Sequence, residues 1–381
     1  MNEKADPGYP AARAIAPKVR AHFARHLAAT GRSMDAPDAL LPDVESIEAI
    51  VDAAFWASLR REEGYVPRIS LALLPPMQAT HPLLFESPFP LAAASLVRIA
   101  PAVERRGIHL GVWPNGSRLE VWGTTWLIPS SCFVLEVVAP GLLVVKHNRD
   151  GGGKFVNVAV LEGDQVKIID ERASALPDCP LLVTSLLGFD STGRNSGSVD
   201  VLVQLAVSMR AHGRGGTLLV VPSGTDRWRE SVVRPVSYSV LPQFSDLANI
   251  VRAVHLDPDS VQWRDALDEA VAAIAGLTAV DGATVLTDRY ELLAFGAKIT
   301  RREGSPPVER VALTEPIEGG AAAVAHPNSV GGTRHLSAVQ FVHDQRDAMA
   351  LVASQDGRFT LFAWSPSEEI VHGHRVEALL L

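Results

Sequence analysis

The sequence predicts an α/β protein in which a C-terminal domain, with a mixed central sheet flanked by helices, follows an α+β N-terminal domain with an antiparallel meander. The chain has 381 residues, more than twice the commonest domain size, so two domains are expected. Short segments of alternating polarity fill the first half, whereas strands and helices alternate in the second. We place the domains at residues 1–185 and 186–381.

The first domain is predicted to begin with two helices. Apolar residues recur at helical spacing over residues 17–31, between a proline and a glycine, and again over residues 43–60. Residues 68–74 have the pattern of a strand that two prolines end, and residues 91–103 form a helical patch. Helices therefore precede the meander in the chain.

The meander is predicted from six short β segments. They lie at residues 109–113, 118–123, 132–138, 142–146, 154–161 and 165–169. The dipeptides Asn115-Gly116, Asp150-Gly151 and Gly163-Asp164 stand between neighbouring segments and are typical of hairpin turns. Tight turns join consecutive strands in antiparallel order, which is why a meander is expected.

The second domain follows DSTGRNSGS, residues 190–198, which contains no apolar residue and is typical of a domain boundary or a mobile loop. The elements predicted after it are a helix at 199–209, a strand at 217–222, a helix that ends near Gly276, strands at 277–286 and 292–299, a helix opened by Thr333, and strands at 348–352 and 358–364 around the turn SQDG. Alternating helices and strands favour a mixed sheet covered by helices.

Composition and charge narrow the classes of function. Hydrophobic residues make up 47% of the chain and charged residues 20%, as in a soluble globular protein. With a net charge of −8 the chain has no general attraction for DNA or anionic membranes, so we expect neither nucleic acid nor membrane as a partner. Cys132 and Cys179 lack metal-type spacing, and the N-terminus lacks the apolar core of a signal peptide. We therefore expect free thiols in a cytoplasmic protein.

Two glycine-rich stretches invite comparison with phosphate-binding loops. GRGG at residues 213–216 follows a helix instead of a strand, and no Lys-Ser/Thr pair follows it. A helix stop with a tight turn is the better interpretation. GGG at residues 151–153 is most simply a hairpin turn.

Asp281 interrupts the apolar strand predicted at residues 277–286. A carboxylate buried there would need a cation, a metal or several hydrogen-bond donors. The alternative is a bulge or tight turn in which Asp281 accepts bonds from backbone amides and Gly282 supplies an unusual dihedral angle. The stretch by itself leaves both interpretations open.

Residues 331–335, GGTRH, stand at the start of a predicted helix. The free amide groups and the dipole of a helix N-terminus favour an anion, and the glycines let a ligand approach the backbone. Arg334 can hold phosphate oxygens through paired hydrogen bonds, and His335 can ligate a metal or bind phosphate. The alternative is an ordinary helix that Thr333 caps, with two exposed polar residues after it.

The motifs of the second half occur in a defined order. They are DGATVL at 281–286, FGAKI at 295–299, GTRHLSAV at 332–339 and LVASQDGRFTLF at 351–362. In this order they resemble the diadenylate cyclase (DAC) domain family over residues 186–370. The first half resembles the sensor domain of the DACNV type, which accompanies one branch of these domains.

The resemblance implies an enzyme, a nucleotidyltransferase that condenses two ATP molecules into cyclic di-AMP with loss of two pyrophosphates. It implies Mg²⁺ or Mn²⁺ held by Asp281 and His335, self-association of two DAC domains across a two-fold axis, and regulation by the N-terminal domain. The catalytic residues implied are Asp281, Arg334 and His335. The residues implied to bind the nucleotide are Gly282, Ala283, Gly332, Thr333, Arg334 and Ser354.

One position departs from the family pattern, because Leu336 stands where the family has a second arginine. The loss of that arginine would affect turnover more than ATP binding. Two alternatives to the cyclase are therefore open. One is a nucleotide sensor in which the DAC fold binds but does not catalyse, and the other is a metal-dependent hydrolase that uses Asp281 and His335 without cyclisation.

Overall fold

The computed structural model describes residues 8–29, 41–105, 107–148, 155–172, 178–187, 196–253 and 261–381. The chain divides into two compact units, residues 1–169 with Leu381, and residues 170–380. The division falls just after the last strand of the first sheet, and the domain limit after residue 185 stays a prediction. Helices and mixed sheets confirm the predicted α/β class.

The first unit contains an eight-stranded sheet and helices packed against it. Its elements are α1 Pro10–Ala29, α2 Val44–Ser58, β1 Ile69–Leu73, β2 Leu83–Pro90, α3 Ala93–Ile99, β3 His109–Asn115, β4 Arg118–Thr125, β5 Phe133–Ala139, β6 Leu142–Asn148, β7 Phe155–Glu162 and β8 Gln165–Ile168. The strand order is β2-β4-β3-β1-β5-β6-β7-β8. Neighbouring strands are antiparallel except β1 and β3, which run parallel. The hairpin β3–β4 and the consecutive hairpins from β5 to β8 confirm the predicted meander in two parts. The two parts are not adjacent, because β1 lies between β3 and β5.

The first helix begins earlier than predicted. α1 starts at Pro10 and contains Pro17 in its interior, where the sequence analysis placed the helix start. Ala12, Ile15 and Ala16 are buried, so the apolar face of the helix continues up to this proline. Proline removes one helical hydrogen bond, and the burial of this face offsets that loss.

Local contacts and turns define the ends of several helices and strands. The Asp43 carboxylate accepts a hydrogen bond from the Ser46 amide and caps α2. Gly116 and Gly163 have φ of +61° and +59° in the predicted hairpin turns. The turn predicted around residues 150–153 lies outside the described residues.

The second unit contains a nine-stranded mixed sheet. Its elements are α4 Leu181–Leu186, α5 Ser196–Ala211, β9 Gly216–Val221, β10 Tyr238–Phe244, α6 Asp246–Arg252, α7 Val261–Leu277, β11 Ala283–Thr287, β12 Leu292–Ala297, β13 Val311–Thr314, β14 Ala323–Ala325, α8 Thr333–Asp344, β15 Met349–Ala353, β16 Phe359–Ser365 and β17 Ile370–Arg375. The strand order is β10-β12-β11-β9-β15-β16-β17-β13-β14. The pairs β9–β11 and β13–β17 are parallel. Helix α8 packs against β15, β16 and β17, and α5 packs against α7.

Two stretches of the second unit differ from the prediction. Helix α7 continues through Gly276 to Leu277, and a turn carries the chain on, so β11 begins only at Ala283. Gly276 has no positive φ, so it lies inside the helix instead of ending it. Residues 196–198, predicted as part of a domain boundary or mobile loop, form the first turn of α5. Residues 190–195 lie outside the described residues.

Two edge strands that contain proline, β2 and β10, lie at the outer ends of their sheets and have no counterpart in the prediction. β2 contains Pro88 and Pro90, and β10 contains Pro242. Proline cannot donate a hydrogen bond to a strand ladder, so it argues against a strand except at a sheet edge. The edge positions thus explain both the prolines and the missed strands. β13, β14 and β17 also have no counterpart in the prediction.

Two further predictions concern thiols and membranes. Cys132 is buried and Cys179 is half-buried, and both are free, as expected. Burial raises the pKa of both thiols, that of Cys179 to about 11. None of the described helices combines the length and apolar character needed to cross a bilayer. A cytoplasmic location and the absence of a nucleic-acid partner stay predictions.

Candidate functional site

A cavity of about 550 Å³ opens in the second unit. Its wall combines the turn before β11, the end of β12, the N-terminus of α8 and the end of β15. The lining residues are Thr217, Asp281, Gly282, Ala283, Ala297, Lys298, Ile299, Gly332, Thr333, Arg334, His335, Ser337, Ala353 and Ser354. This set includes all eight residues that the sequence analysis assigned to catalysis, nucleotide or metal.

The sheet topology explains why these segments meet. Thr217, near the start of β9, pairs with Ala283 at the start of β11, because these two strands are parallel. It also pairs with Val352 near the end of β15, because those two strands are antiparallel. The DGA motif and the SQDG turn, which are far apart in sequence, therefore lie at the same edge of the sheet.

The N-terminus of α8 forms one wall of the cavity. Gly332 is the N-cap, with φ −76° and ψ −169°, and Thr333 is the first helical residue. Among the described residues no side chain caps this helix, so the interpretation of Thr333 as the cap is wrong. Thr333 lines the cavity instead, at a helix end whose amide groups favour an anion.

The two glycines before the helix have different roles. A Cβ on Gly331 would lie 2.6 Å from Nδ1 of His335, whereas a Cβ on Gly332 would meet nothing within 4 Å. Gly331 therefore makes room for the imidazole. His335 is 4% exposed, its ring lies edge-to-face with Phe362 at 6.0 Å, and its Nε2 lies 3.5 Å from Oγ1 of Thr360. Burial lowers the pKa of His335, so its imidazole is neutral at neutral pH.

Asp281 also lines the cavity and is exposed. The side chain is 91% exposed, and Oδ2 lies 2.5 Å from Nζ of Lys298. The hydrogen bond and charge of Lys298 lower the pKa of Asp281, and the charge of Arg334 lowers it further. The interpretation of Asp281 as a buried carboxylate is wrong, because Asp281 lies exposed in the turn before β11. Lys298 was missed as a site residue, although it belongs to the FGAKI stretch.

Gly282 has the unusual dihedral angle that the turn interpretation requires. Its φ is +121°, and a Cβ there would lie 2.4 Å from the carbonyl carbon of Gly296. Gly296 itself has φ +63° and lies against the ring of Tyr238. Among the described residues, however, Asp281 pairs with the ammonium of Lys298 and not with backbone amides. Gly282 is therefore required by the close approach of β11 to β12, whatever ligand the site binds.

The GRGG loop contributes to the site without forming it. Gly213 and Gly215 have φ of +64° and +71° after the end of α5, which confirms the helix stop and tight turn. A Cβ on Gly215 would lie 3.1 Å from Nη1 of Arg334. Gln355 of the SQDG turn donates a hydrogen bond to the Arg214 carbonyl. The loop thus forms part of the surroundings of the Arg334 guanidinium.

A divalent metal belongs to the chemistry that the resemblance implies. The described residues include no group of three or more His, Cys, Asp or Glu side chains suited to a metal. Mg²⁺ needs few protein ligands when phosphate oxygens and water supply the others, and the exposed carboxylate of Asp281 fits that pattern. His335 fits less well, because it is buried and its Nε2 is directed to Thr360. Its role as a metal ligand stays a prediction.

Comparison with known proteins supports a sensor-type domain in the first half. Residues 36–126 match the family model described as "Probable sensor domain DACNV", which confirms the expected DACNV-type region. No curated protein matches the chain. Among solved structures, the chain is similar to a hypothetical membrane spanning protein from Bacillus cereus, at 14% identity and a TM-score of 0.26, over 50% of this chain and 69% of that one. With so low a TM-score the likeness carries no argument.

Proposed function

We propose that the second unit is a diadenylate cyclase that condenses two ATP molecules into cyclic di-AMP and two pyrophosphates, under the control of the first unit. One observation carries the proposal: the eight residues implied by the resemblance line a single cavity of about 550 Å³. Small-molecule sites typically enclose about 300–1,000 Å³. These residues come from three separated stretches of the chain, so sequence proximity does not account for their convergence.

The N-terminus of α8 can bind the triphosphate. The helix amide groups and the Thr333 hydroxyl offer hydrogen bonds to phosphate oxygens, and the Arg334 guanidinium offers charge and paired donors. Such preorganised donors stabilise the negative charge that moves onto pyrophosphate as it leaves. His335 is buried and neutral, so in this mechanism it positions the start of the helix.

The Asp281 carboxylate can bind and orient the ribose 3′-hydroxyl. Its carboxylate is ionised because of its neighbours, so it can accept a hydrogen bond from the hydroxyl and orient the oxygen for attack. A bond forms between that oxygen and the α-phosphorus of the second nucleotide, the bond from this phosphorus to pyrophosphate breaks, and the hydroxyl proton is released. Mg²⁺ or Mn²⁺, held by Asp281, would offset phosphate charge and acidify the hydroxyl.

The reaction requires two copies of the site. One cavity presents one nucleotide, whereas each new bond joins the hydroxyl of one nucleotide to the α-phosphorus of the other. Two cavities must therefore face each other across a two-fold axis, and the same step occurs twice. A monomer is expected to be inactive.

A product assay tests the proposal. The full chain is incubated with ATP and Mn²⁺ or Mg²⁺ over a series of protein concentrations, and the products are identified by mass. We expect cyclic di-AMP and pyrophosphate in a one-to-two ratio, with specific activity that rises with protein concentration. ATP binding without cyclic product over the whole series contradicts catalysis. Accumulation of AMP or ADP instead supports the hydrolase.

Leu336 favours a second candidate, a nucleotide sensor that does not catalyse. Leu336 is half-buried and is not among the residues that line the cavity, so nucleotide binding does not depend on its side chain directly. For this candidate we expect ATP to bind without turnover, and Leu336→Arg to switch activity on. An active wild-type chain contradicts it.

A further inference from the structure

Lys298 is a charged residue of the cavity wall to which neither the sequence motifs nor the comparisons assign a role. It follows β12, and its ammonium lies 2.5 Å from the Asp281 carboxylate. The described residues that line the cavity include one lysine, Lys298, and one arginine, Arg334. They belong to different segments of the chain, so an anion in the cavity meets positive charge from two segments.

The ion pair of Lys298 with Asp281 is exposed enough to exchange partners. The Lys298 side chain is 50% exposed and that of Asp281 is 91% exposed. Exposed pairs of this kind contribute little to stability, because water competes for both charges. A polyphosphate offers the ammonium more negative charge and more acceptor oxygens than one carboxylate does. Transfer of the ammonium from Asp281 to a phosphate is therefore favourable.

ATP, the ligand of the proposed function, also needs a second positively charged side chain. A triphosphate brings several negative charges into a cavity whose wall contains the anion Asp281. Arg334 provides one fixed positive charge, and position 336 is leucine in this chain. Lys298 is the remaining side chain of the lining that carries a positive charge at neutral pH.

We propose that Lys298 is a phosphate-binding residue that moves from the Asp281 carboxylate to the polyphosphate when a nucleotide enters. The inference rests on the proposed function, since it requires a nucleotide in this cavity. The exchange leaves the Asp281 carboxylate available for the ribose hydroxyl or for a divalent cation. Binding of the phosphates and exposure of Asp281 are thus coupled through one side chain.

Calorimetric titration of the full chain in Mg²⁺ tests this assignment. The probes are 3′-deoxy-ATP, which lacks the attacking hydroxyl and cannot cyclise, and 3′-deoxyadenosine, which lacks phosphates. We expect Lys298→Gln to raise the Kd of 3′-deoxy-ATP about tenfold and to leave that of 3′-deoxyadenosine unchanged. Lys298→Arg should stay within about threefold of wild type. The control Arg301→Gln removes an exposed positive charge outside the cavity wall and should change neither affinity.

A second measurement addresses the exchange itself. Asp281→Asn removes the carboxylate that competes for the ammonium, so in EDTA this variant should bind 3′-deoxy-ATP about two- to threefold more tightly than wild type. Adding Lys298→Gln to it should abolish the gain. A residue that only supported the fold would not produce this pattern.

Three outcomes overturn the assignment. In the first, Lys298→Gln leaves the affinity for 3′-deoxy-ATP at the wild-type value, and in the second it lowers the affinities for 3′-deoxy-ATP and 3′-deoxyadenosine by the same factor. In the third outcome, Arg301→Gln lowers the affinity for 3′-deoxy-ATP as much as Lys298→Gln does. In each of them the wild-type chain still binds nucleotide, so the nucleotide site of the proposed function is not contradicted. If the wild-type chain binds neither probe, the nucleotide site itself is wrong.

Discussion

Asp281 and His335 line the same cavity, but the structure holds them in opposite ways. The Asp281 side chain is 91% exposed and pairs with Lys298. His335 is 4% exposed and packs against Phe362, in space that Gly331 leaves free. The pKa of both residues is lowered, by the neighbouring ammonium for Asp281 and by burial for His335.

Within one site, Asp281 is therefore suited to the chemistry and His335 to holding the structure. An exposed carboxylate can change partners when a ligand arrives, whereas a buried ring cannot move without repacking its neighbours. Changes at Asp281 should therefore alter activity and leave stability almost unchanged. Changes around His335 should alter stability first.

The largest expected effect is on activity at Asp281. Asp281→Asn keeps the shape but removes the charge that orients the hydroxyl, so formation of cyclic di-AMP should fall by about 10²–10⁴-fold. The midpoint of urea unfolding should stay close to that of wild type, because the lost ion pair is exposed. The matched control is Asp347→Asn, which breaks another exposed pair, with Arg227, and should leave activity unchanged. Undiminished synthesis by Asp281→Asn would show that another group performs this role.

A smaller effect is expected on stability at the glycine pair. Gly331→Ala places a methyl group against the buried His335 ring and should lower the free energy of unfolding by about 1–3 kcal/mol. Gly332→Ala, one residue further on, meets nothing within 4 Å and should cost less than about 1 kcal/mol as an N-cap change. Urea unfolding of the two variants measures the difference. Equal losses would mean that the ring is free to move away.

The smallest expected effect is a pH dependence. Burial holds the pKa of His335 below its usual 6.5, so the unfolded state binds more protons at mildly acid pH. Stability should therefore fall as the pH drops below about 6.5. Between pH 7 and pH 5, His335→Gln should lose less stability than wild type, by up to about 1 kcal/mol. His374 acts in the same direction, so urea unfolding must compare the two chains at both pH values. An identical loss in both chains would contradict the burial of His335.

The secondary structure was predictable where side chains repeat regularly. β9 is an uninterrupted buried run and α2 has one apolar face, and both were predicted from these patterns. β2 and β10 were not, because prolines in edge strands interrupt the pattern. The true start of α1 was missed because its interior proline resembles a helix start.

Site residues that belong to sequence motifs were predictable, whereas a residue that strand pairing brings into the site was not. The eight motif residues were named from short stretches of sequence, and all line the cavity. Lys298 belonged to one of those stretches but has no motif role. The register of the β11–β12 hairpin, which pairs Ala283 with Ala297, is the signal that would have placed Lys298 beside the DGA motif.

The sequence by itself determined the order of the elements, the glycines that make tight turns, and the set of chemical groups available for a site, because these depend on residues close together in the chain. Only the tertiary structure decided that Asp281 is exposed beside Lys298 and that His335 is buried beside Thr360. Burial and charge pairing depend on neighbours from distant segments. A local sequence pattern does not show which distant segments will supply those neighbours.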